Sequence, residues 1–242
     1  MMGRCNRYRQ THVASLLDNS IMSREVDTAT HRDPALAGWE IASVVTSCLI
    51  AEWTIFTFAG GSQVVGAIPV TLAIAFMIFS HRARGETLRD IGFRIDNFLR
   101  AVRVLALPTI VAVGLIILVS WLRRNHQFAF APLRPRFLWV PLWALFQQYA
   151  LQGFINRRAQ IALGAGVKSI VLVALIFGLM HLPNPLLTVL TLVGGLIWAW
   201  AYQKEANLFA LALSHTIVSG VLALSLAQDL VYNLRVGFKY FG

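Results

Sequence analysis

Long apolar runs separated by short polar segments are the main pattern of this chain. About 20 apolar residues cross a bilayer as a helix, and seven runs come close to that length. The predicted spans cover residues 41–58, 64–79, 101–122, 137–155, 167–182, 186–202 and 208–231. The pattern therefore predicts an all-α fold, a polytopic membrane helical bundle of about seven transmembrane helices.

The first 37 residues differ from the rest because they are polar and carry charges of both signs. They lack the apolar stretch that follows the short basic start of a signal peptide. We therefore expect a retained, cytoplasmic N-terminal tail over residues 1–37 and one transmembrane domain over 38–242. Most of the 21 Lys and Arg fall in segments that are inside in this orientation, with the 123–136 loop as the exception. The positive-inside rule thus predicts a multi-pass protein with a cytoplasmic N-terminus, and we expect the bacterial cytoplasmic membrane.

The composition agrees with a membrane protein. Charged residues make up 13% of the chain, whereas soluble domains carry roughly 25%. A net charge of +10 in a soluble protein would suggest nucleic-acid binding. Here arginines that flank membrane spans and face anionic head groups account for the charge. We therefore expect membrane lipid as a partner and no nucleic acid. Cys5 and Cys48 predict neither a disulfide framework nor a zinc site.

Two further sequence features predict local structure. The segment 85–101, GETLRDIGFRIDNFLRA, has Leu88, Ile91, Ile95 and Leu99 at helical spacing. It predicts an amphipathic helix that lies on the membrane surface. Adjacent Gly194 and Gly195 in the sixth span predict close approach of a neighbouring helix. The aromatic side chains that follow are expected to pack near the inner end of that span, where an aromatic belt is common: Trp198, Trp200 and Tyr202.

Three amides stand where a membrane helix would normally be apolar. Gln147, Gln148 and Gln152 lie in the run LWVPLWALFQQYALQGFINRR. Polar groups at membrane depth are costly unless partnered, which makes them candidates for function. Gln148 and Gln152 share one helix face at a spacing of four residues and are positioned to hydrogen-bond each other. The alternative is that the amides only join neighbouring helices.

Two later spans each contain one histidine. His181 follows Phe177 by four residues, and His215 precedes Ser219 by four. The intervals from Gln148 to His181 and from His181 to His215 each fit one helix, a turn and a return. The three polar positions are therefore predicted to converge near one leaflet, although packing histidines are the alternative interpretation. No Asp or Glu lies between Asp96 and Glu205, so the polar centre has no carboxylate of its own.

Glu52 is the other ionisable residue inside a predicted span. One interpretation is that its carboxyl group is a partner for a core histidine. The alternative is a protonated carboxyl group, or one that reaches the membrane boundary.

These residues and their order resemble the CAAX-protease and bacteriocin-processing family of intramembrane endopeptidases, also called the Abi family. The resemblance covers about residues 85–225 and begins at TLRDIGFRIDN. The family's Glu-Glu-x-x-x-Arg motif aligns with Gln147, Gln148 and Gln152. Its Phe-x-x-x-His motif aligns with Phe177 and His181. The third motif, His-x-x-x-Asn or Asp, aligns with His215 and Ser219, after a connecting stretch GGLIWAWAYQKEANLFALALSH that is also similar to the family.

The resemblance implies a role for each site residue. Gln147 stands at the glutamate that activates a water together with the histidine at His181. Gln148 stands at the second glutamate and Gln152 at the arginine. His215 and Ser219 occupy the positions that hold the oxyanion. The implied substrate is a membrane-associated or prenylated peptide or protein, and no cofactor is implied.

The amides depart from the family pattern in a consistent way. Glutamine can orient a water but cannot take up a proton, and loss of a general base typically costs about 10²–10⁴-fold in rate. A glutamine at Gln152 also avoids a buried arginine left without its partner, which would be costly. The site is therefore predicted to be uncharged, with its polar groups satisfied by hydrogen bonds between amides. A zinc site is not expected, because two histidines with three amides are a poor ligand set.

Three functions remain open from the sequence. The chain binds, and in one hypothesis hydrolyses, a membrane-associated or lipidated substrate, with His181 as the base and His215 or Glu52 assisting. In the second it is a catalytically inactive pseudo-protease that acts by binding or regulation. In the third it is a small proton-linked transporter, which ranks last because no inverted repeat with broken helices is found.

Overall fold

The computed structural model describes residues 33–55, 63–123, 139–226, 230 and 232–241. Nine α-helices lie in these ranges: α1 Pro34–Ile50, α2 Gln63–Ala83, α3 Leu88–Ile91, α4 Phe98–Leu122, α5 Trp139–Gln148, α6 Arg157–Leu163, α7 Val167–Leu179, α8 Pro185–Lys204 and α9 Leu208–Ser225. Two π-helices, Ala51–Ile55 and Tyr149–Asn156, continue α1 and α5, and short 3-10 helices follow at Tyr232–Leu234 and Gly237–Tyr240. The predicted N-terminal tail and the 123–136 loop lie almost entirely outside the described residues.

The predicted all-α membrane bundle is confirmed, and the described ranges contain no β-strand. Four helices are long and apolar enough to cross a membrane: Pro34–Thr54, Phe98–Leu122, Pro185–Lys204 and Leu208–Ser225. Ile68–Ala83 and Val167–Leu179 are shorter apolar helices. The count of seven spans stays a prediction. Many large apolar side chains on α4 face outward, Leu107 and Ile110 among them, as lipid-facing residues would.

The helical hairpin of α7 and α8 carries part of the polar centre. Asn184 caps α8 by accepting a hydrogen bond from the Leu187 amide, and Pro185 occupies the first turn, where a missing N–H costs nothing. A Cβ at Gly195 would lie 2.9 Å from the Cα of Ala174. Only glycine allows this close approach, so the prediction of tight packing at this glycine pair is confirmed for Gly195.

The predicted surface helix over 85–101 is wrong, since the segment forms one short turn and then breaks. Thr87 caps α3 in a capping box with Asp90, and Gly92 ends α3 with φ 106°. That left-handed conformation suits glycine and commonly terminates a helix. The amide of Leu208 donates to the Gly92 carbonyl at 2.9 Å, which ties the break to the start of α9. Ile95 beyond it is strongly exposed.

A buried ionic network joins one end of the bundle, and the sequence did not predict it. Arg158 is fully buried, and its guanidinium contacts Glu40 of α1 at 3.0 Å and Glu86 after α2 at 2.9 Å. Arg84, directly after α2, pairs with Glu40 at 2.8 Å, and Arg157 pairs with Glu86 at 2.6 Å. Because each buried charge has an opposite partner, the network ties the ends of α1, α2 and α6 together.

Candidate functional site

The glutamine motif spans a change of helix type. Gln148 is the last residue of α5, and Gln152 lies within the π-helix Tyr149–Asn156. A π-helix has more residues per turn than an α-helix, and such segments occur frequently at functional sites. A Cβ at Gly153 would lie 2.9 Å from Cγ2 of Ile91, so the π-helical turn brings backbone close to the break after α3.

The predicted hydrogen bond between Gln148 and Gln152 does not form. Gln148 instead places its Nε2 3.1 Å from Nδ1 of His215. Gln152 Oε1 accepts a hydrogen bond of 2.7 Å from Nδ2 of Asn156. The two amides thus bond to different neighbours, because the π-helix points their side chains in different directions.

The contact between Gln148 and His215 fixes the proton of the imidazole. Gln148 is fully buried; its Nε2 donates to Nδ1 of His215, and its Oε1 has no partner among the described residues. The neutral ring therefore carries its proton on Nε2. Nε2–H of His215 is then a hydrogen-bond donor, as the oxyanion role implied by the resemblance requires.

Trp198 forms the wall against which His215 lies. The two rings are stacked with their centroids 4.4 Å apart. Trp198 is buried, and its Nε1 donates to Oγ of Ser214 at 3.1 Å. Ser214 Oγ also lies 2.7 Å from Oγ1 of Thr109 on α4. Trp198 is thus a packing residue held by α4 and α9, and no motif indicated that it would contact a site histidine.

His181 lies in the turn just after α7 and has the opposite proton arrangement. Its Nδ1 is 2.7 Å from the carbonyl oxygen of Phe177, which can only accept. The proton is therefore on Nδ1, and Nε2 keeps the lone pair. The Phe177 ring contacts His181 edge-on at 4.8 Å and His215 at 6.1 Å between centroids. The phenylalanine of the second motif therefore separates and orients both histidines.

A cavity of about 540 Å³ opens beside these rings. Four predicted site residues border it: Gln147, His181, His215 and Ser219. The rest of its lining is mainly apolar and comes from α1, α2, α5, α7, α8, α9, the two π-helices and residues 234–239, with Glu52 and Lys239 as its charged members. The predicted convergence of the polar helices is thus seen in the structure. Gln148 and Gln152 are not among the lining residues; both are fully buried behind the wall.

Gln152 belongs to a separate network of amides. Asn156 donates from Nδ2 to Gln152 Oε1 and accepts at Oδ1 from Nε2 of Gln203 at 3.0 Å. Gln203 also donates to Ser169 Oγ at 3.0 Å. The network joins the π-helix to α7 and α8 without any charge. At the position of the family's arginine, Gln152 is held by the hydrogen bond from Asn156, and its own Nε2 has no partner among the described residues. Asn156 and Gln203 were missed because neither lies in a motif.

Comparison with known proteins agrees with the motifs. Residues 130–221 match the family model "Rce1-like: Type II CAAX prenyl endopeptidase Rce1-like". Comparisons with curated proteins and with solved structures give no match. The described helices and the matched segment indicate a membrane protein with a CAAX-protease-like region. Residues 130–221 form this Rce1-like segment, which includes all the predicted site residues, so the resemblance seen in the motifs is confirmed there.

Proposed function

We propose that this protein binds a membrane-associated or lipidated peptide in the cavity beside His181 and His215, and acts as a pseudo-protease. The proposal rests on the buried, neutral pair of Gln148 and His215: His215 borders the cavity, and Gln148 lies behind it. Where the resemblance implies a glutamate, this chain has an amide that holds a neutral histidine in place.

The two histidines offer complementary groups to one peptide bond. Nε2 of His181 is an acceptor and suits a peptide N–H, whereas Nε2–H of His215 is a donor and suits a peptide carbonyl. Ser219 borders the same cavity and adds a hydroxyl group. An apolar cavity with a few convergent polar groups is the usual form of a ligand site. The mainly apolar lining suits an apolar side chain or a prenyl group.

Hydrolysis at the family's rate is not supported by this set of residues. A glutamate that takes a proton from water would contribute about 10²–10⁴-fold, and neither Gln147 nor Gln148 can do so. The rings that remain hold and orient a peptide without activating water strongly. Binding without rapid turnover is therefore the leading function.

Slow hydrolysis with His181 as the base is the second candidate. The Phe177 carbonyl accepts a hydrogen bond from Nδ1–H of His181, which leaves the lone pair on Nε2. A hydrogen bond of this kind fixes the tautomer and the ring orientation of an imidazole. In this candidate, His181 Nε2 takes the water proton and His215 Nε2–H donates to the developing oxyanion.

The proposed orientation has the N-terminus in the cytoplasm of a bacterial inner membrane. The ionic network gathers the ends of α1, α2 and α6, and Asn97 joins the ends of α4, α8 and α9 through Glu205 at 3.0 Å and Asn207 at 2.8 Å. These helix ends therefore lie on one side. Arg82, Arg89 and Arg100 lie near them, as the positive-inside rule expects of the cytoplasmic side.

The experiment measures binding and cleavage of one substrate by the same purified protein. A fluorescent, prenylated peptide is added to protein in lipid nanodiscs, with His181→Ala and His215→Ala as variants. His31→Ala, which changes a histidine outside the matched segment 130–221, is the control. We expect binding that both site variants weaken and the control retains, with little cleavage. Cleavage that is abolished in His181→Ala would favour the second candidate, and binding unaffected by both site variants would refute the proposed site.

A further inference from the structure

Glu52 places its carboxyl group at the wall of the same cavity. It lies in the π-helix Ala51–Ile55, which continues α1, and it borders the cavity with His181 and His215. Its Oε1 is buried and has no hydrogen-bond partner among the described residues. Lys239 borders the same cavity, but Glu52 forms no ion pair with it or with any other cation in the described ranges. A buried carboxylate without a donor or a cation is costly.

The other buried carboxylates of the described residues are arranged differently. Glu40 contacts Arg84 and Arg158, and Glu86 contacts Arg157 and Arg158, all within ion-pair distance. The fold thus pairs its structural carboxylates with arginines. Glu52 departs from that pattern at a place where a ligand could supply the partner.

The C-terminal segment restricts Glu52 to this place. A Cβ at Gly237 would lie 2.9 Å from Cγ of Glu52, so the segment packs directly on the side chain. The Gly237 amide donates to the Leu182 carbonyl at 2.8 Å, next to His181 in the chain. Trp53 and Phe238 pack edge-on at 5.4 Å between centroids. These contacts hold the Glu52 carboxylate at the cavity wall.

We propose that Glu52 makes this cavity select ligands that carry one cationic group, an ammonium or guanidinium, on an otherwise apolar body. For the membrane peptide of the proposed function, on which this inference rests, the group is a lysine or arginine side chain within an apolar segment. A cation beside Glu52 removes the cost of the unpaired carboxylate. A neutral ligand of the same shape leaves that cost in place, so the difference between the two ligands isolates the contribution of Glu52.

The experiment compares two fluorescent peptides that differ in one charge. Both are apolar, N-acetylated and C-amidated; one has a central lysine and the other norleucine, which has the same carbon stem without the ammonium. Binding is measured by fluorescence polarisation in nanodiscs of neutral phosphatidylcholine, with empty nanodiscs subtracted. The variants are Glu52→Gln and, as a matched loss of one exposed charge, Asp96→Asn.

We expect the wild type to bind the lysine peptide about tenfold more tightly than the norleucine peptide, as a close charge pair does at an interface. The preference should disappear in Glu52→Gln and persist in Asp96→Asn. Equal affinity of the wild type for both peptides would overturn the inference and leave the proposed function standing. A preference that survives in Glu52→Gln would also overturn it, and absence of binding by either peptide would refute both proposals.

Discussion

Gln148 donates a hydrogen bond from Nε2 to Nδ1 of His215 across 3.1 Å, and this buried contact is neutral on both sides. A glutamate carboxylate in the same place would instead accept a hydrogen bond from Nδ1–H of His215. The exchange of one oxygen for one nitrogen thus reverses the direction of the hydrogen bond between residue 148 and His215.

Replacement of Gln148 should damage the fold more than replacement of its neighbour. Gln148→Leu leaves Nδ1 of His215 without its donor and should cost about 1–3 kcal/mol of unfolding free energy. Gln147→Leu is the control, because Gln147 borders the cavity and is only partly buried. Thermal unfolding of the two variants in the same detergent measures both losses of stability. Equal losses in the two variants would contradict the assigned contact.

Replacement of Trp198 should lower the free energy of unfolding more than replacement of Trp200 on the same helix. Trp198→Ala removes the stacked wall of His215 and a buried hydrogen bond, so it should cost about 3–5 kcal/mol. Trp200 is exposed, and the ammonium group of Lys204 lies over its ring, 4.6 Å from the ring centroid. Trp200→Ala should therefore cost clearly less. ¹⁵N NMR of the histidines in Trp198→Phe, which keeps a ring, should also show a changed His215 signal.

Motif order was enough to predict that Gln148, His181 and His215 meet, because each interval matches a helix and its return. Other relationships could not be predicted, since they join residues far apart in the sequence. Arg158 meets Glu40 only after three helices have packed, and Asn156 meets Gln203 in the same way. The π-helix after Gln148 could not be read from residue types either, although it decides which partner each amide finds.

The ionic network predicts a specific acid sensitivity. Burial alone would raise the pKa of Glu86, yet hydrogen bonds from His81 and Arg158 and the charges of Arg158 and Arg157 hold it well below its usual range. A carboxylate with a lowered pKa stabilises the fold above its unfolded pKa of about 4.3, and that contribution is lost as the pH falls through the folded pKa. Glu86→Gln should cost about 3–5 kcal/mol near neutral pH.

The difference between wild type and Glu86→Gln should therefore shrink as the pH falls below about 4. Unfolding curves at several pH values measure it. Asp96→Asn is the control, since Asp96 pairs with arginines at the surface, where an ion pair contributes little. A constant difference between wild type and Glu86→Gln across this range would contradict the assigned pairing.

Hydrolysis should be restored only when all three of the family's charged residues are introduced together. The triple variant Gln147→Glu, Gln148→Glu and Gln152→Arg should raise peptide cleavage by about 10²–10⁴-fold, the usual contribution of a general base. Gln152→Arg alone should destabilise the protein, because it places a lone cation among the amides of Asn156 and Gln203. A fully stable single variant would contradict the account of a neutral site.

The most direct test of the central claim is to map where a membrane peptide binds. A prenylated peptide with a photoreactive diazirine group is irradiated with the protein in nanodiscs, and mass spectrometry identifies the attached segments. We expect attachment in the segments around Gln147, His181 and Ser219, and we expect excess unlabelled peptide to suppress it. Attachment confined to lipid-facing positions of α4, such as Leu107 and Ile110, would show that the cavity does not bind the peptide.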